Sequence, residues 1–133
     1  MPHISSQKTK KETLEKMYSF LFSAITNRNI SQKQQRLAFY ELLTNTEKVM
    51  LGKRLTAISM LSQDVTPYKV AQKLQLSQST TTKLHAKLET EKFSNTEKLC
   101  KILRKGPLGA YIDNLLKPLP RYGTSPSQLF KEK

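Results

Sequence analysis

Apolar residues along the chain recur at helical spacing in one segment after another. From Lys10 to Asn27 the set Leu14, Met17, Tyr18, Leu21, Phe22 and Ile25 lies on one face of an amphipathic helix. Asn27-Arg-Asn breaks it, and Ser31 suits the N-cap of a second helix carrying Leu37, Ala38, Tyr40 and Leu42. Thr44-Asn-Thr-Glu47 is a capping box, in which the threonine oxygen takes an orphan amide and the glutamate reaches back. It predicts a third helix from Asn45 to about Ser62, with Met50, Leu51, Ala57, Ile58 and Leu61 on its apolar side. The same device at Ser94-Asn-Thr-Glu97 predicts a helix to Lys105, stopped by Gly106-Pro107 through a left-handed glycine. A last helix follows with Leu108, Tyr111, Ile112, Leu115 and Leu116, ended by Pro118 and Pro120. No stretch alternates with period two long enough to build a sheet. The chain is therefore expected to be all-α, with six to seven helices in one helical domain over residues 10–117. Residues 1–9 read as a disordered basic N-terminus and 118–133 as a Pro-containing basic tail.

Between the third helix and Ser94 lies the most informative segment. Thr66 suits an N-cap, and Pro67 fits the first helical position, where no amide is needed. A short helix then turns Val70, Ala71 and Leu74 inward. Leu76 anchors the turn, and Ser77 caps the next helix. The order of small residue, apolar turn residue and new N-cap is that of a helix-turn-helix over residues 66–90. Gln75 stands where the turn usually has glycine, so it must bear a left-handed conformation at some strain. In the second helix of the motif, Thr81, Leu84 and Leu88 share one side. Gln78, Ser79, Thr82, Lys83 and Ala86 share the other, with Lys87 on its flank and no acid before Glu89. Short polar side chains can reach base edges in a major groove, and lysine can meet guanine or phosphate. An ordinary solvated face would not need three consecutive threonines, which are poor helix formers. Base contacts are accordingly assigned to Gln78, Ser79, Thr82 and Lys83. Backbone contacts are assigned to Lys53, Arg54, Tyr68, Lys69 and Lys87.

Composition agrees with this picture but does not locate the site. Over 133 residues, 23 Lys and Arg face 10 Asp and Glu, a formal charge of +13. Such a surplus favours a polyanionic partner through counterion release. It is spread nearly evenly along the chain, so RNA or an anionic surface would satisfy it as well. One cysteine, Cys100, and two histidines, His3 and His85, leave no internal disulfide and no metal-ligand cluster; Cys100 falls at helical spacing among leucines and is expected to be buried. The sequence has no Gly-rich phosphate loop and no paired acids, so no catalytic residue, cofactor or enzymatic role is expected. The charge-free stretch Met17–Asn27 is too short to span a bilayer, and the N-terminus lacks an apolar signal region; a cytoplasmic, non-membrane setting is expected.

The projection of the third helix puts Arg54 between Ile58 and Leu61, inside the apolar stripe. A guanidinium there either snorkels out or meets an anion. Leu42-Leu-Thr-Asn-Thr-Glu-Lys-Val-Met-Leu-Gly-Lys-Arg54-Leu, the helix to Ser62 and the helix-turn-helix together resemble the tryptophan repressor superfamily from about Leu42 to Leu88. The resemblance implies an intertwined homodimer whose two reading helices enter successive major grooves of double-stranded DNA. It further implies a sequence-specific transcriptional regulator, a repressor, and a candidate pocket for an amino-acid-like corepressor at Thr44, Arg54 and Lys83. Lys83 stands where tryptophan-responsive members carry a second arginine, keeping the charge without the planar stacking surface. Leu84 replaces the small glycine that follows, and capping already accounts for Thr44. The scaffold is expected here, and a tryptophan sensor is not. Rival readings are a non-sequence-specific nucleic-acid-binding protein and an RNA polymerase-associated adaptor.

Overall fold

The computed structural model describes residues 10–117, which form seven helices and no strand. They are α1 (Lys11–Thr26), α2 (Gln32–Leu42), α3 (Asn45–Ser62), α4 (Pro67–Leu74), α5 (Gln78–Glu89), α6 (Ser94–Leu103) and α7 (Pro107–Leu116). The expected disordered N-terminus and basic tail lie outside the described residues. No helix among those described is long and apolar enough to cross a membrane. The chain divides into two compact units, Met1–Val49 and Met50–Lys133.

In the first unit α1 and α2 pack on one another. Asn27 organises their junction: its side-chain oxygen accepts from the Asn29 amide at 2.8 Å, and its carbonyl accepts from the Gln35 side-chain amide. Ser31 caps α2 as expected, accepting from the Gln34 amide at 3.1 Å. Neither helix buries a residue. Met17, Tyr18, Phe20, Leu21 and Phe22 of α1 are exposed, as are Leu37, Tyr40 and Leu42 of α2. Phe39, outside the apolar set read from the sequence, is one of the better covered side chains of α2. The capping box at the head of α3 forms in both directions: Glu47 N–H donates to Thr44 Oγ1 at 3.1 Å, and Thr44 N–H donates to Glu47 Oε1 at 2.8 Å.

The second unit has a continuous core of Ala57, Met60, Leu61, Val70, Leu74, Leu84 and Ile112. Val65, Leu76, Leu88, Phe93, Leu108, Leu115 and Leu116 pack around it. Removing Met60, Val70 or Ile112 from water contributes about 1.5–3 kcal/mol each. Three helices of this unit stop on a residue in the left-handed region: Asp64 (φ 66°) after α3, Gln75 (φ 55°) after α4 and Glu91 (φ 60°) after α5. Each stop carries the same closing bond from the residue after the left-handed one back into the last turn of the helix: Val65 N–H to the Met60 carbonyl, Leu76 N–H to Ala71, and Lys92 N–H to Lys87.

Two expectations about helix ends are corrected. Ser94 is not an N-cap. The stop at Glu91 feeds the chain directly into α6, so Phe93 takes the cap position, its carbonyl accepting from the Glu97 amide at 2.8 Å; Ser94 is already helical. Gly106 is not a left-handed cap either, since its φ is −122°. α6 ends earlier, at Leu103, and the turn bonds of Arg104, Lys105 and Gly106 close it. Gly106 instead precedes Pro107, which starts α7 at the position where a missing amide costs nothing. α6 is held to α3 by Arg104, whose Nη1 donates to the Ser59 carbonyl at 3.0 Å and to Ser62 Oγ at 2.8 Å. Cys100 is buried, as expected, and that burial pushes its thiol pKa up.

Candidate nucleic-acid interface

The geometry of α4 and α5 follows from local chemistry. Thr66 Oγ1 accepts from the Lys69 amide at 3.2 Å, and Pro67 fills the first helical position. Val70, Ala71 and Leu74 are buried on one side of this short helix. Gln75 adopts φ 55°, ψ 52°, the left-handed turn residue anticipated without a glycine. Leu76 then plugs the turn into the core, and Ser77 Oγ accepts from the Thr80 amide at 3.0 Å to open α5. Thr81 and Leu84 are buried on the inner side of α5. Thr81 satisfies its hydroxyl on the carbonyls of Ser77 and Gln78, at 3.3 and 3.1 Å, so a polar side chain sits in the core without an unpaired group.

That packing fixes which face α5 turns outward. Gln78, Ser79, Thr82, Lys83, Ala86 and Lys87 are all exposed. Glu89, the first acid of the helix, is drawn to His85 Nε2 at 3.2 Å near its C-terminal end. The N-terminal two turns of α5 therefore present amide, hydroxyl and ammonium groups with no carboxylate among them. On α4, Tyr68 and Lys69 are exposed as well.

Lys53 is differently engaged from the other cations assigned to backbone contact. It is half-buried, and its Nζ donates to the Gln75 carbonyl at 3.2 Å, tying α3 to the turn. Two further ammonium protons stay available to a second acceptor. Arg54 is exposed rather than drawn into the core, although its neighbours Ala57, Ile58 and Leu61 are buried. It lines a cleft of about 410 Å³ together with Met50, Thr80, Lys83, Leu84, Lys87 and Phe93.

Of the three residues assigned to an effector pocket, the cleft brings Arg54 and Lys83 together. Thr44 is not among its lining residues and is engaged in the capping box of the first unit. Thr80, Lys87 and Phe93 were not anticipated as lining. Helical spacing from Lys83 puts Thr80 and Lys87 beside it, so those two carried a signal. Phe93 arrives only through the reversal at Glu91, for which the sequence has no glycine marker. Among the described residues no group of acidic, histidine and cysteine side chains is arranged to hold a metal ion. No family model matches the chain, and comparison with curated proteins and with solved structures likewise found no match.

Proposed function

We propose that this chain is a sequence-specific double-stranded DNA-binding regulator of transcription, a repressor on a tryptophan-repressor-like scaffold, reading the major groove with α5. The observation that carries this reading is the outer face of α5, where Gln78, Ser79, Thr82 and Lys83 stand exposed and free of acids. Side chains of this length, on a helix that begins at a capped end, suit hydrogen bonding to base edges. Arg54, Tyr68, Lys69, Lys87 and the spare protons of Lys53 supply contacts to the flanking phosphates.

The proposed assembly is a homodimer. Its support is the exposed apolar surface of α1 and α2, where Phe20 is 70% and Phe22 65% accessible in the single chain. A second copy meeting the same surface would cover it in a closed, isologous way.

Substitution separates base contact from phosphate contact. Ser79→Ala with Thr82→Ala is expected to weaken binding to the preferred site by about 1–3 kcal/mol per lost base contact. Binding to unrelated duplexes should be nearly unchanged, as read by fluorescence anisotropy at fixed salt. Lys87→Ala should instead lower the slope of log K against log salt by about one. Equal loss on every sequence for Ser79→Ala with Thr82→Ala would reassign those hydroxyls to the backbone and undo sequence reading by this face.

A further inference from the structure

The hydroxyl residues at the head of α5 are not equivalent. Ser77 Oγ donates to Thr80 Oγ1 at 2.8 Å, and Thr81 turns its hydroxyl back onto the carbonyls of Ser77 and Gln78. Among the described residues, the side chains of Gln78, Ser79 and Thr82 have no such protein partner and stand exposed. The outer face of the helix falls into two rows at four-residue spacing. Gln78, Thr82 and Ala86 form one row, and Ser79, Lys83 and Lys87 form the other; all six are exposed. Both cations belong to the second row, and both border the cleft that Arg54 lines. The first row is uncharged. Its polarity falls along the helix, from an amide, through a hydroxyl that carries a methyl, to a bare methyl.

That order matches the chemistry of an A·T pair seen from the major groove. Adenine presents an acceptor, N7, beside a donor, the N6 amino group, and one glutamine amide answers both at once. Thymine presents the C5 methyl, an apolar group that a threonine or alanine methyl packs against. The shortness of Ala86 lets the helix backbone approach the base edges, where a longer side chain would hold it off. From Gln78 to Ala86 the helix rises about 12 Å, the length of about three to four base-pair steps. We infer that the row Gln78, Thr82 and Ala86 selects A·T pairs, Gln78 taking adenine and the methyl groups of Thr82 and Ala86 taking thymine, within about four base pairs. This rests on the DNA-binding reading of α5 above, and it adds Ala86 to the residues that choose the site.

The experiment uses the full chain and the duplex it enriches from random DNA, with base analogues placed one at a time and binding read by fluorescence anisotropy at fixed salt. The enriched site is expected to hold an adenine and two thymines, on either strand, within about four base pairs. Replacing that adenine by 7-deazaadenine removes only the N7 acceptor and should weaken binding about tenfold, with little effect left in Gln78→Ala. Replacing a thymine by uracil removes only the methyl and should weaken binding about fourfold. Thr82→Ser keeps the hydroxyl without the methyl and should lose the response at one thymine; Ala86→Gly should lose it at the other. All three positions are exposed, and circular dichroism checks that the variants fold. An enriched site of G·C pairs alone, or one indifferent to both analogues, would overturn A·T selection while leaving sequence-specific binding in place. Analogue responses that persist unchanged in all three variants would overturn the assignment to this row. A chain that enriches no site would remove the DNA-binding reading and this inference together.

Discussion

Gln75 holds a left-handed backbone whose strain its side chain does nothing to repay; what fixes the conformation is the Leu76 amide on Ala71 and the Lys53 ammonium on the Gln75 carbonyl. Gln75→Gly is therefore expected to raise stability by about 0.5–1 kcal/mol in chemical denaturation, the relief of strain outweighing the extra freedom of the unfolded glycine. A loss would mean that the side chain packs after all. Glycines elsewhere give an opposed pair. A Cβ on Gly109 would lie 2.0 Å from the Arg104 carbonyl oxygen, backbone that cannot yield without parting α7 from α6, so Gly109→Ala should cost about 1–3 kcal/mol. A Cβ on Gly52 meets nothing within 4 Å, and Gly52→Ala should gain up to about 1 kcal/mol in helix propensity. The turn at Gln75 was legible because an N-cap, a small residue and an apolar plug surround it in fixed order. Asp64 bends the chain in the same way before an apolar residue, Val65, and an N-cap, Thr66, but Met60 stands where the other turn has the small Ala71, and Glu91 is followed by neither an apolar plug nor a side-chain cap. The tightness at Gly109 exists only once α6 and α7 meet, which no local pattern records.

Helix ends show how far capping chemistry can be trusted. Thr44 and Glu47 form their reciprocal pair, and the hydrogen bonds from the Thr44 backbone and hydroxyl groups to the glutamate hold its pKa below the usual value. A depressed carboxyl stabilises the folded helix end above its unfolded pKa and loses that effect as pH falls through the folded one. The Thr44 amide signal followed by NMR should thus titrate with a midpoint below the ordinary glutamate range and stay flat in Glu47→Gln; a midpoint at or above that range would contradict the pairing. Ser94-Asn-Thr-Glu97 repeats the same letters without forming the box, because the chain enters α6 from the Glu91 reversal rather than from an extended N-cap. The motif specifies a helix start only where the preceding residue is free to be extended, as Leu43 is and Phe93 is not. α4 and α5 were readable because caps, inward residues and turn all agree. The outer face of α5 follows by subtraction, from burial of Thr81 and Leu84.

Seen entire, the chain carries +13 charge spread along its length, and that surplus names a class of partner without choosing a surface. Packing turns one acid-free polar face of α5 outward and gathers Arg54, Lys83 and Lys87 about a single cleft. The all-helical class was legible from apolar spacing alone. The cleft was only half legible, since two of its lining residues follow Lys83 by helical periodicity while Phe93 depends on the tertiary reversal. The exposed apolar faces of α1 and α2 support the proposed dimer, which would set two copies of α5 about 34 Å apart, one turn of DNA. Selection of random double-stranded DNA by the full chain, at near-physiological salt, tests sequence reading by α5 most directly. The expected result is a near-palindromic site with half-sites about one helical turn apart, whose enrichment is lost in Ser79→Ala with Thr82→Ala. Retention of DNA with no sequence enriched over the starting pool would contradict it.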